Sequence, residues 1–273
     1  MALIAVLWMV AALSIIVTSL SQAVRSEARL TSSERQIVTA GAQGDAAIQM
    51  VLQEMAANGN GLNRQTTVQS SYRGQSIQVE ISPLNGLVDI NRAPEPLLAN
   101  LLTYAGGIPP ANASALAHAM VEWRSAKSAL GRPRDFEALE DLLQVPGFDY
   151  DLYASIAPLA TADRPGSGRV NPMAAPEGVL AILGNGNAAR ASGIAAARDA
   201  GQIGIDTTTL DGNFIDNTAT KRFRLQARVP LQDGGAVVIA RSVTLGTSAQ
   251  DGLPWQTFRT EQHLEPAQAR PPN

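Results

Sequence analysis

The densest oxygen chemistry in the chain lies in Asp206-Thr-Thr-Thr-Leu-Asp211-Gly-Asn213-Phe-Ile-Asp216-Asn217, where three aspartates and two amides share one short segment. Carboxylate and amide oxygens are the ligands that Ca2+ takes. The spacing is not that of an EF-hand loop, and no terminal glutamate closes it. Two readings stay open: a calcium site built by Asp206, Asp211, Asn213 and Asp216, and a solvated turn. No cofactor is required by any other part of the sequence.

The remaining chemistry-bearing residues do not group. His118 and His263 are too few for a histidine-based metal cluster unless several carboxylates converge on them. His118 stands among alanines in an expected helix and takes a structural or surface role. Glu137, Glu140 and Asp141 could serve acid/base chemistry, but they fall in the first turns of an expected helix, where the helix dipole favours carboxylates. Gly184-Asn-Gly186-Asn-Ala-Ala189 fits a dinucleotide-binding glycine pattern, yet it follows a helical run instead of a strand and reads as a capping loop. The chain has no cysteine, which excludes disulfides and thiolate chemistry. A net charge of −3 gives no bulk attraction to nucleic acid or anionic lipid. With no nucleophile, metal cluster or acid/base pair standing, the chain reads as non-enzymatic.

The elements that would position these residues begin with a segment, Met1 to Val24, that has no charged side chain. At 1.5 Å per residue it makes a helix of about 36 Å, enough to cross a hydrocarbon core of about 30 Å. A signal peptide would need a basic leader and a small-residue cleavage site, so the segment reads as a membrane anchor. No proline follows until well beyond Asn58, and Ile37, Ala40, Gly44, Ile48, Val51 and Met55 recur every three or four residues. One rod of about 57 residues, about 85 Å long, is expected, its lower half packed on a soluble body. Arg25, Arg29 and Arg35 would place that body in the cytoplasm by the positive-inside rule, unless a basic leader once preceded Met1.

Past the Asn58-Gly-Asn-Gly61 stop, Thr66 to Tyr72 and Gln75 to Ile81 flank Arg73-Gly74 as a hairpin. A second hairpin pairs Lys221 to Val229 with Ala236 to Thr244 through Asp233-Gly-Gly235. Between them the chain is helical, with expected helices at Pro94 to Tyr104, Pro110 to Ser125, Phe136 to Gln144, Tyr150 to Ile156, Pro176 to Leu183 and Ala188 to Ala200. The division is 1–24 anchor, 25–57 soluble half of the helix, 58–84 first strands, 85–206 helical insertion, 207–260 remaining strands and 261–273 a polar, proline-rich flexible tail. The fold class is α+β: a long N-terminal helix on an antiparallel sheet, with an all-α domain inserted between strands. An internal repeat marks the insertion. Gly86-Leu-Val-Asp-Ile-Asn-Arg-Ala93-Pro94-Glu95 matches Gly168-Arg-Val-Asn-Pro-Met-Ala-Ala175-Pro176-Glu177. In each copy proline fits the first helical turn and glutamate faces the positive end of the helix dipole.

The abrupt opening Met1-Ala-Leu-Ile-Ala5-Val-Leu-Trp8 on one unbroken helix resembles a type IV pilin-like protein after prepilin-peptidase cleavage. Most members of that family carry a glutamate where this chain has Ala5. Its absence, together with the insertion from about Gly86 to Asp206, is similar to the K-class minor pseudopilin of type II secretion systems. The resemblance implies an inner-membrane, single-pass protein of a Gram-negative bacterium, with a methylated N-terminus and its soluble domain in the periplasm. It implies partners: the other minor pseudopilins of the I, J and H classes, the inner-membrane assembly platform and the prepilin peptidase. It implies a bulky insertion that caps the pseudopilus tip, and calcium on the soluble domain. Met1, Ala5, Trp8 and Val10 would then serve anchoring and assembly. The small residues Gly41, Ala42, Gly44, Ala46 and Ala47, with Ile48, would meet partner helices, the alternative being that Gly44 packs on the chain's own sheet.

A rival reading fits the same repeat. Val88-Asp-Ile-Asn-Arg-Ala-Pro94, Gly106-Gly-Ile108 and Arg124 resemble a helix-hairpin-helix motif, as in a membrane-tethered DNA receptor of a competence system. Pro109-Pro110, however, replaces the second glycine that would approach a phosphate, and basic residues are sparse around the turn.

Overall fold

The computed structural model of the chain describes residues 2–58, 62–127, 131, 134–163, 166–246 and 252–266, with residues 2–26 and 28–30 described in backbone alone. Helix α1 (Ala2–Asn58) is the expected rod, 57 residues without a break. The anchor residues Met1, Ala5, Trp8 and Val10 lie outside the described side chains. Among the described residues no helix is long and apolar enough to cross a membrane.

Strands β1 (Thr66–Tyr72) and β2 (Gln75–Pro83) form the first hairpin. Its turn residues Arg73 and Gly74 both take positive φ, 49° and 79°, the twist that a two-residue hairpin needs. The insertion follows: β3 (Val88–Asp89), α2 (Glu95–Tyr104), α3 (Pro110–Ser125), a 3-10 turn at Leu139–Gln144, α4 (Tyr150–Ile156), β4 (Ala160–Thr161), α5 (Glu177–Leu183) and α6 (Ala188–Asp199). The chain then returns as β5 (Arg222–Pro230), β6 (Ala236–Leu245) and β7 (Trp255–Glu265).

The five long strands make one sheet in the order β1-β2-β5-β6-β7, every pair antiparallel. Because β2 pairs with β5, the whole insertion leaves and re-enters between neighbouring strands. One sheet face carries Ile77, Val79, Ile81, Phe223, Leu225, Ala227, Val229, Val237, Ile239 and Val243, which pack on Ala40, Ala47, Ile48, Val51, Leu52 and Met55 of α1. A second, separate core fills the insertion around Leu97, Leu101, Met120, Phe136, Val179 and Leu183. The mixed α+β class with its interrupted antiparallel sheet is as expected.

Three local expectations change. Glu261 to Glu265 belong to β7 and pair with β6, so the tail expected from 261 contributes five residues to the sheet. An edge strand with little of either face buried has no hydrophobic alternation to read. Phe136 to Ala138 are not helical: the N–H groups of Glu137 and Ala138 donate to the Asp141 carboxylate and that of Phe136 to Asn91 Oδ1, so only Leu139–Gln144 turns, as a 3-10 helix. Finally, β3 and β4 form a parallel pair of two residues each, too short to announce itself in sequence.

Candidate functional site

The repeat is real in three dimensions. Pro94 and Pro176 both cap their helices in extended conformation, at φ −65° and −63°, and Glu95 and Glu177 open α2 and α5. The prolines thus stand one position before the first helical turn where they were expected. Just upstream, Asp89 Oδ1 accepts the Asn91 N–H at 2.9 Å, and the matching Asn171 Oδ1 accepts the Met173 N–H at 3.0 Å. The two copies also interlock. A Cβ on Gly86 would overlap the carbonyl of Ala174, and a Cβ on Gly168 would overlap the carbonyl of Arg92, each six residues beyond the glycine of the opposite copy.

In each copy an arginine from the second helix closes the Ala-Pro junction. Arg124 donates to the carbonyls of Ile90 and Ala93, both at 2.8 Å. Arg198, which is buried, donates to the carbonyl of Ala175 and holds Asp199 at 2.8 Å. Both arginines stand in the last turn of their helices, where the dipole alone explains a basic residue, so sequence reasoning had no cause to pair them with the repeat. Asn91 is a third device unseen in sequence: its Nδ2 donates to the carbonyls of Phe136 and Ala162 while its Oδ1 accepts from Phe136.

The insertion is tied to the outer face of the sheet through Asp163. Its carboxylate meets Arg259 at 2.8 Å, and its carbonyl accepts from Arg222. Asn85 Nδ2 donates to the Thr218 carbonyl at 2.8 Å, and Asn171 Nδ2 to the Asn63 carbonyl at 3.2 Å. Between sheet and insertion lies a cleft of ≈ 560 Å³ whose walls include Glu80, Glu140, Tyr153, Arg224 and His263. Within it Arg224 meets Glu261 at 2.6 Å, and the Tyr153 hydroxyl donates to Glu140 at 3.0 Å. Burial, with that bond, pushes Tyr153 up to about 12.

Glu137, Glu140 and Asp141 form no acid/base pair, since Asp141 caps the 3-10 turn and Glu140 holds the phenol. His118 lies exposed between Glu95 at 3.3 Å and Glu122 at 3.5 Å, each carboxylate on a different ring nitrogen. The hydrogen bond to Glu95, then the charges of Glu95 and Glu122, raise its pKa.

The candidate calcium residues are not brought together. Asp206 Oδ1 accepts from the Thr208 N–H and hydroxyl, at 2.9 and 2.6 Å, and Asp211 Oδ1 from the Asn213 N–H at 2.9 Å. Asp216 Oδ1 accepts from Thr218 while Oδ2 accepts from the Ser167 hydroxyl at 2.6 Å. Each aspartate closes its own turn, and these bonds hold Asp206 and Asp216 below their ordinary pKa. Among the described residues no group of three or more His, Cys, Asp or Glu side chains stands ready for a metal.

The stripe expected to meet partner helices faces inward instead. Gly41, Gly44, Ala47 and Ile48 are all buried. A Cβ on Gly44 would overlap Ile239 Cδ1 and lie 3.3 Å from Val229 Cγ2, and one on Gly41 would lie 3.3 Å from the Gln262 amide. Small residues permit close approach to any surface, and here the surface is the chain's own sheet. The outward face of α1 carries Val38, Thr39, Ala42, Gln49 and Gln53. The helix-hairpin-helix reading fares no better, because Arg124 spends its guanidinium on buried carbonyls and Gly106 packs against Leu152.

A long helix laid on an antiparallel sheet, with a helical domain let in between adjacent strands, is a pilin-like architecture. The chain is similar in structure to a chain of the GspK-GspI-GspJ complex from the enterotoxigenic Escherichia coli type 2 secretion system. The TM-score is 0.56 at 14% identity, over 87% of this chain and 99% of that one. At such identity the likeness is one of fold, and that fold fits the K-class pseudopilin resemblance read from the sequence. No protein-family model matches the sequence, and no curated protein does.

Proposed function

We propose that this chain is a non-enzymatic minor pseudopilin of a type II secretion system, anchored in the inner membrane with its body in the periplasm. In this reading it assembles with the other minor pseudopilins and caps the pseudopilus tip. The observation that carries it is the placement of a large helical domain between β2 and β5 of a pilin-like sheet, matched along almost the whole length of a pseudopilin chain. A body widened in this way obstructs any subunit stacked above it, so a filament accepts it only at the end. The partners are the I, J and H classes, with the assembly platform and prepilin peptidase acting on the N-terminal helix.

Gold labelling of the tagged chain on assembled filaments tests the cap. Label at filament ends only is expected. Label at regular intervals along the shaft refutes capping, and failure to co-purify with any pseudopilin refutes the class. Removing residues 86–206 and rejoining the strands should let the shortened chain enter the shaft.

A further inference from the structure

At one of the buried positions where the two copies of the repeat differ, the change is from an amide to an ionisable group. Where the second copy has Asn171, the first has Asp89, only 2% exposed and set in the parallel pair β3/β4. Both side chains use Oδ1 in the same way, accepting the N–H two residues on. They part at the other atom. Asn171 donates its amide to the Asn63 carbonyl, whereas Asp89 Oδ2 has no hydrogen-bond partner among the described residues.

The charged groups around Asp89 do not compensate. On its own loop Arg92 donates to the Gly166 carbonyl, and from α3 Arg124 is committed to the Ile90 and Ala93 carbonyls. Arg124 also feels Asp135 and Glu95, which draw on the same positive charge. From β4 the residue opposite is the neutral Thr161, and Asp163 beyond it is held by Arg259. A buried carboxylate with an open oxygen costs far more than a neutral carboxyl in the same place.

We infer that Asp89 is a proton-binding site that couples acidity to the rigidity of the inserted domain: neutral, its carboxyl is tolerated in the buried junction of β3 and β4, and ionised, it loosens that junction. Burial, opposed by the Asn91 N–H and by Arg92 and Arg124, raises this carboxyl from 3.8 to about 6. A folded-state pKa above the unfolded value means that the stability is greatest below both values and declines as pH rises through the folded one.

The test uses the full chain in detergent micelles, comparing wild type with Asp89→Asn by amide hydrogen exchange at pH 5 and pH 7.5, corrected for intrinsic rates. With folded and unfolded values of about 6 and 3.8, the opening constant for the Ile90 amide should rise about tenfold from pH 5 to pH 7.5 in wild type. In Asp89→Asn that rise should vanish, while amides in β5 and β6 respond alike in both proteins. An equal pH response of the Ile90 amide in the two proteins overturns the inference. If the variant does not fold, the Asp89 carboxyl carbon of the wild type is titrated by NMR: a midpoint above 5 supports the site, and one at or below 5 overturns it.

Discussion

Gly44 separates two demands on the N-terminal helix that look identical in sequence. In Gly44→Ala the new Cβ meets Ile239 Cδ1, the far end of a fully buried side chain that must swing aside, while Val229 Cγ2 stands 3.3 Å away. Overpacking of this kind costs about 1–3 kcal/mol, and alanine returns about 1 kcal/mol of helix propensity. The net loss for alanine is therefore about 0–2 kcal/mol. Gly44→Leu gains the same propensity but must force a branched chain into a seam closed by both Ile239 and Val229, so its loss should reach about 3 kcal/mol. For a body of this size that lowers the melting temperature by about 6–12 °C. The assay is thermal and urea unfolding of the detergent-solubilised chain, alongside co-purification with the proposed pseudopilin partners. Stability should fall first, with any loss of partners following it. Unchanged melting of Gly44→Leu together with lost co-purification would refute the packing argument and restore Gly44 to a partner interface.

Four further outcomes are expected. Gly86→Ala and Gly168→Ala each drive a Cβ into a backbone carbonyl that no rotamer change can move, and Gly168 also holds φ at +87°. Each should cost the insertion more than Gly44→Ala costs the helix, read as lost hydrogen-exchange protection in α2 and α5. Arg124→Met leaves the Ile90 and Ala93 carbonyls without their charged donor and should destabilise the insertion by about 2–4 kcal/mol in urea unfolding. The titration midpoint of His118 by NMR should lie above the ordinary histidine value and fall in Glu95→Gln. Its stabilising contribution is therefore present at low pH and lost as pH rises through the raised value. In the proposed anchor, Val10→Arg should cost about 2.5–3.5 kcal/mol of insertion, measured with a translocon reporter.

What sequence could reveal followed from local chemistry. Arg73-Gly74 and Asp233-Gly-Gly235 announced their hairpins because Gly74 and Gly234 supply the positive φ of a tight turn, and Ala-Pro-Glu announced two helix starts. Five of the six expected helices form nearly where they were read. What stayed hidden depended on partners distant in the chain. Arg124 and Arg198 are ordinary helix-end residues until their acceptors are seen, and the close approach at Gly86 and Gly168 shows only against the opposite copy. The small stripe of α1 was legible as a close contact, but its spacing does not say whose surface it meets. Asp206, Asp211 and Asp216 look like a ligand set because clustered carboxylates are common to metal loops and to Asx turns, and only the hydrogen bonds tell them apart.

The seating of the insertion between neighbouring strands also governs the order in which the molecule can form. Ser82 faces Arg224 across β2 and β5, so closing that pair directly would bring together residues separated by about 140 positions, a contact slow to find by diffusion of an open chain. The β1/β2 hairpin and the β5/β6 hairpin are local and can arise early, yet neither can join the other cheaply while the intervening segment is extended. Once the two copies of the repeat have collapsed on each other, Gly86 against Ala174 and Gly168 against Arg92, that segment becomes a short rigid bridge with its ends close together. The sheet is then zipped by a nucleus that contributes no strand to it, and a defect in the repeat should slow the assembly of β2 on β5 without touching any residue of either.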